Sequence, residues 1–182
     1  MSSNMVPQFL HNTDCEDIGT GDKKSGGSIG SLTQIKAPLW SLCKEEGQWN
    51  IPFVKAALGR GEDVNSKDET NTTALMFSVT RNKNSIVRLL LKEPSVDLNC
   101  KNIVGETALH FAAEAGNIEG VRLLLADPRL YTFNHENDYG NTPVMTAINR
   151  NEIDVLRKLI SHPSISLETR NWRGWSLEEI AR

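Results

Sequence analysis

Residues 105 to 134 read GETALHFAAEAGNIEGVRLLLADPRLYTFN, and this stretch holds two short helical signals back to back. Thr107 opens the first, which runs through Ala108, Leu109, His110, Phe111, Ala112 and Ala113 and stops at Gly116, two turns closed by a left-handed glycine. Asn117 caps the second, in which Val121, Leu124 and Leu125 recur at three- and four-residue spacing with Leu123 beside them. Isolated helices below roughly 12–15 residues are marginal in water. The unit must therefore bury its leucine face against another copy of itself.

Copies stand on both sides. The helix-opening position recurs as Thr73-Ala74-Leu75, Thr107-Ala108-Leu109, Thr142-Pro143-Val144 and Ser176-Leu177, at steps of 34, 35 and 34 residues. A second landmark keeps the same register: Asn65, Asn99, Asn134 and Glu168 each lie eight residues before the next opening. A turn, helix, helix unit of this period with a Thr-(Pro/Ala)-Leu-His opening resembles the ankyrin repeat, whereas the tetratricopeptide pattern of Trp, Gly and Tyr is missing.

The resemblance covers Ala37 to Arg182 and implies an all-α fold, an ankyrin-type helix-turn-helix repeat solenoid with short hairpin-like turn tips. Repeats are placed at about 37–67, 68–101, 102–136 and 137–170, with a partial one at 171–182. Asn71, Asn82 and Asn151 stand where the family has turn glycines, which asparagine tolerates better than other residues with a side chain. Pro94, Pro128 and Pro163 follow the second helices and stop them. In the first repeat, irregular near Trp49, Pro52 suits a helix start, and Lys44, Glu45, Glu46 and Lys55 supply a polar cap for the end of the stack. At the other end residues 171–182 are expected to form a turn and a first helix without its second. Leu177, Ile180, Trp172 and Trp175 are expected at an incompletely covered face that a continuation would cover.

Composition narrows the partners. With 38% hydrophobic and 24% charged residues and a formal charge of −3, the chain is ordinary for a soluble protein and has no basic field for nucleic acid. No run is long enough to span a membrane, the amino terminus is not a signal peptide, and the three cysteines, Cys15, Cys43 and Cys100, suit reduced thiols. The expected location is cytoplasmic, with the nucleus open. Residues 1 to 36, rich in Gly and Ser without periodicity, read as a disordered tail. Within it Ser25 to Gly30 lacks the strand and Gly-Lys-Ser/Thr of a phosphate loop, and His11 with Cys15 is too few ligands for a metal.

No catalytic motif is present, and His11, His110, His135 and His162 are scattered over the repeat unit. His110, three residues after Thr107, reads as a partner in side-chain hydrogen bonds at the helix start. What remains is recognition. The turn tips and first helices of a helix-pair stack line one concave side, where residues are free to vary. By resemblance the tips are Asp68-Glu69-Thr70, Asn102-Ile103-Val104, Asn137-Asp138-Tyr139 and Asn171-Trp172-Arg173, joined by Thr72, Glu106, Asn141 and Trp175. First-helix ends add Thr80, Arg81, Glu114, Ala115, Asn149 and Arg150. The candidate protein-binding residues are Ile103, Val104, Glu106, Glu114, Tyr139, Asn141, Arg150, Trp172, Arg173 and Trp175. Tyr, Trp and Arg dominate interface hot spots, and large apolar groups are not needed to turn a chain.

The sequence thus points to a non-enzymatic protein-binding module, an intracellular adaptor, inhibitor or targeting subunit. It is expected to use no cofactor, metal or small-molecule substrate. The alternative is a regulatory or substrate-recruiting arm of an enzyme whose catalytic domain lies beyond residue 182. Limited proteolysis is expected to trim residues 1 to about 36 without loss of helical signal; protection of that segment from hydrogen exchange would contradict the tail reading.

Overall fold

The computed structural model describes residues 37–44 and 50–180. The expectations for residues 1–36, for Glu45, Glu46 and Trp49, and for Arg182 lie outside the described residues. Among those described there are nine helices and no strands, with isolated antiparallel bridges between Lys67 and Thr73 and between Arg170 and Ser176. In order the helices are α1 (Leu39–Lys44), α2 (Asn50–Gly59), α3 (Ala74–Thr80), α4 (Asn84–Leu91), α5 (Ala108–Glu114), α6 (Ile118–Leu125), α7 (Pro143–Asn149), α8 (Ile153–Ile160) and α9 (Leu177–Ile180).

Odd-numbered helices form one row and α2, α4, α6 and α8 the other, the odd row being the more closely packed. Side-chain size explains the difference. Ala74, Ala108, Ala112, Ala113 and Ala147 let first helices approach, while Leu90, Leu124 and Leu159 hold the second helices apart. A stack narrower on one side curves toward it, which puts the first helices and the turn tips on the concave face.

The first helices α3, α5 and α7 each start at a threonine in extended conformation; the Thr73 hydroxyl accepts from Met76 N–H at 3.3 Å and that of Thr142 from Met145 N–H at 3.4 Å. Pro143 occupies the first helical turn of α7, where a missing N–H costs nothing. Between helices the chain turns through left-handed residues, and Asn71, Asn82 and Asn151 have φ of 59°, 53° and 58° as their glycine-like positions require. Gly140 is constrained twice. Its φ is +70°, and a Cβ there would stand 2.5 Å from the Trp172 amide nitrogen of the next tip.

Polar side chains stitch one repeat to the next. Asn65 donates to Ser95 O at 2.7 Å and accepts from Asp97 N–H at 2.8 Å; Asn99 does the same with Arg129 O and Tyr131 N–H, and Asn134 with Ser164 O and Ser166 N–H. The landmark that marked the period in the sequence is thus a ladder of carboxamides, each satisfying a donor and an acceptor of the following loop. Asn117 does so between helices: its Oδ1 caps Gly120 N–H at 2.7 Å while its Nδ2 donates 2.8 Å to Val79 O at the end of α3. Arg129, held by Asp127, donates to Leu91 O and Glu93 O at 2.7 and 2.8 Å and so satisfies carbonyls left open at the end of α4.

At the first repeat the Lys44 ammonium lies over the rings of Trp40 and Phe77, 5.9 and 5.7 Å from their centroids, shielding apolar surface with a charged head. At the other end α9 opens with a reciprocal cap between Ser176 and Glu179, and Leu177 packs on the core while Trp172 and Trp175 stay exposed.

Leu124 is fully buried between α4 and α8 neighbours in the second row. Leu124→Ala is expected to cost about 2–5 kcal/mol in urea unfolding, and the half-buried Leu123→Ala less. An unchanged midpoint for Leu124→Ala would refute this packing.

Candidate protein-binding groove

The turn tips repeat one hydrogen-bond device. Asp68 Oδ1 accepts from Thr70 N–H at 2.9 Å and Thr72 N–H at 2.8 Å, Asn102 Oδ1 from Val104 and Glu106, Asn137 Oδ1 from Tyr139 and Asn141, and Asn171 Oδ1 from Arg173 and Trp175. Sequence reasoning put these four residues among the freely varying tip positions, and the structure corrects that: their side chains turn inward to hold the loop, and Asn137 is buried. An Asp or Asn is needed there because a short acceptor must reach N–H groups two and four residues on. Adjacent tips are joined through backbone, Ile103 N–H to Thr70 O at 2.9 Å and Asp138 N–H to Val104 O at 3.0 Å.

Between the tips and the first helices runs a groove with two connected hollows. One of about 250 Å3 is walled by Glu106, Glu114, Asn137, Tyr139, Asn141, Thr146, Asn149 and Arg150. The next, of about 200 Å3, is walled by Tyr139, Asn141, Asn149, Asn171, Trp172, Arg173 and Trp175. Eight of the ten candidate residues therefore line one continuous surface. Ile103 and Val104 do not: Ile103 is 57% exposed on the preceding tip, and Val104 is half-buried with its carbonyl engaged by Asp138. Thr146 escaped sequence reasoning. It lies one helical turn before Arg150 and so shares its face, a spacing signal that was available.

The groove changes character along its length. Glu114 and Arg150 form an ion pair across the α5–α7 seam. Both groups are partly exposed, so the pair contributes only about 0–1 kcal/mol and is easily exchanged. Glu106 accepts from Asn102 Nδ2 at 3.1 Å, and burial, reinforced by the Glu114 charge, pushes its carboxyl above the usual range. The Oδ1 of Asn141 is buried with no hydrogen-bond partner among the described residues. In the second hollow the Arg173 guanidinium lies 5.1 Å from the Trp172 ring centre and 5.3 Å from that of Trp175. Trp172 is nonetheless 65% and Tyr139 53% exposed.

A family model for ankyrin repeats, three copies long, matches residues 40–132, just over half of the chain. The chain belongs to the ankyrin-repeat family, whose repeats make protein–protein interaction modules and are generally non-catalytic. The comparison with curated proteins found no match. The same tip, helix, helix geometry continues past the matched residues through α7 and α8. Cys43 and Cys100 are buried, and burial pushes both thiols up, Cys100 to about 11, which leaves them poor nucleophiles. No helix among the described residues is long and apolar enough to cross a membrane.

His110 links the helix opening to the groove floor. Its Nδ1 accepts from Thr107 N–H at 3.2 Å, so the proton sits on Nε2, which donates 2.9 Å to Asn141 O in the next repeat. The expected helix-start bond is present, and the bond onward to the next repeat adds to it. The histidines are less scattered than the sequence implied, since His135 meets His110 edge-on with ring centres 6.3 Å apart. Burial pushes His110 down from 6.5 to about 4 and shifts His135 in the same direction. The unfolded chain therefore takes up a proton before the folded one does. Stability is full above the ordinary histidine range and falls as pH drops from about 6.5 toward 4. Between pH 7 and pH 5 the His110 contribution is about 2 kcal/mol. His110→Gln should remove most of this slope from urea midpoints measured across that range, and an unaltered slope would refute the assignment.

Proposed function

We propose that residues 37–182 act as one repeat domain that binds a protein partner along the groove between tips and first helices, serving as a non-enzymatic intracellular adaptor, inhibitor or targeting subunit. The observation that carries this reading is the convergence of Tyr139, Trp172, Trp175 and Arg173 on one concave surface. Exposed aromatic rings beside guanidinium groups are the residue types that dominate measured interfaces. Nothing in the fold needs them. The tips are held by Asp or Asn acceptors and by backbone bonds, and the stack by buried leucines and seam carboxamides. The moderate negative charge favours a protein over a nucleic acid, and the cytoplasm is the proposed location, with the nucleus as the other.

The test uses a partner recovered by proximity labelling with the full chain and then purified. Tyr139→Ala and Trp175→Ala should each weaken its binding by about thirtyfold, the scale of a hot-spot residue. Tyr131→Ala, which removes an aromatic ring that is 76% exposed but outside the groove, should leave affinity unchanged. Equal losses at all three positions, or none at Tyr139 and Trp175, would sink the reading.

A further inference from the structure

Within that groove, and resting on its role as the binding surface, the hollow beside α5 holds two carboxylates, Glu106 and Glu114, against one cation, Arg150. Glu106 is half-buried, is held by the side-chain amides of Asn102 and Asn137, and forms no ion pair among the described residues. Asn141 lines the same hollow, and its Oδ1 is buried without a hydrogen-bond partner among the described residues. A partly desolvated carboxylate without a cation is costly. That cost is relieved by an incoming group that is cationic and carries several N–H donors.

We propose that this hollow receives the guanidinium of an arginine borne on an extended segment of the partner protein. The acceptors are spread over two carboxylates, Glu106 of the tip and Glu114 at the end of α5. A planar fork with five N–H donors spans such a set better than a compact ammonium. The exposed ring of Tyr139 on the wall adds a face on which a guanidinium stacks. The chain already places one guanidinium at the rim, that of Arg150 on Glu114, and this pair is exposed enough to give way.

The adjoining hollow fixes the form of the ligand. It lies one repeat further on and shares Tyr139, Asn141 and Asn149 with the first. Neighbouring helices pack about 8–10 Å apart, which an extended chain covers in about three residues. The segment therefore carries an apolar side chain about three positions from its arginine, lying against Trp172 and Trp175.

The experiment is a selection from a random peptide library on the full 1–182 chain, followed by affinity measurements with the most enriched peptide. The expected peptides share an arginine with an apolar residue about three positions away. Glu106→Gln, or citrulline in place of the peptide arginine, should weaken binding about tenfold or more, as loss of a charge-assisted hydrogen bond does. Arg150→Met frees Glu114 and should tighten binding roughly two- to fivefold, a gain that misfolding does not produce. Lysine binding as well as arginine, indifference to Glu106→Gln or citrulline, or a selection that enriches no peptide would overturn the site. Peptides lost on Tyr139→Ala and Trp175→Ala but indifferent to Glu106→Gln would overturn the arginine hollow while leaving the groove as the binding surface. Peptides indifferent to all three would count against both.

Discussion

The constraint behind every feature of this chain is that its helices are too short to stand alone. Helices of seven and eight residues, such as α5 and α6, do not persist in water unless an apolar face is covered. Each pair is therefore stable only as part of a stack, and seam contacts govern which residues are fixed. Leu90, Leu124 and Leu159 fill the seam in the second row, and alanines thin it in the first.

Polar groups at the seams carry an equally specific demand. The loops between repeats contain backbone groups that no helix satisfies, and a repeat architecture meets the same set of them at every step. Asn65, Asn99 and Asn134 meet that demand in identical fashion, each supplying a donor and an acceptor about thirty residues ahead in the chain. His110 does comparable work closer to the groove, at the cost of needing to stay neutral. Structure and surface are thereby segregated. What faces the seam is committed to packing or hydrogen bonding, and what faces the groove is free for recognition.

That segregation explains the unequal outcome for the candidate site. Glu106, Glu114, Tyr139, Asn141, Arg150, Trp172, Arg173 and Trp175 share a surface because the repeat period brings equivalent positions of successive tips into line. Ile103 and Val104 belong to the tip before them and fall outside the hollows. The first residue of each tip is fixed for a local reason. A side chain whose oxygen must accept from N–H groups two and four residues on is not free to vary.

The sequence alone determined the period, the helix openings at Thr73, Thr107 and Thr142, the left-handed turns at Asn71, Asn82 and Asn151, and the leucine faces, because each depends on residues close together in the chain. Local chemistry is written in local spacing. The tertiary structure decided that Asn99 reaches Arg129, that Glu106 lacks a cation while Glu114 has Arg150, and that Asn141 Oδ1 is buried without a partner among the described residues. These facts join groups about thirty residues apart, and they turn on ångström-scale differences in reach that a repeating pattern does not encode.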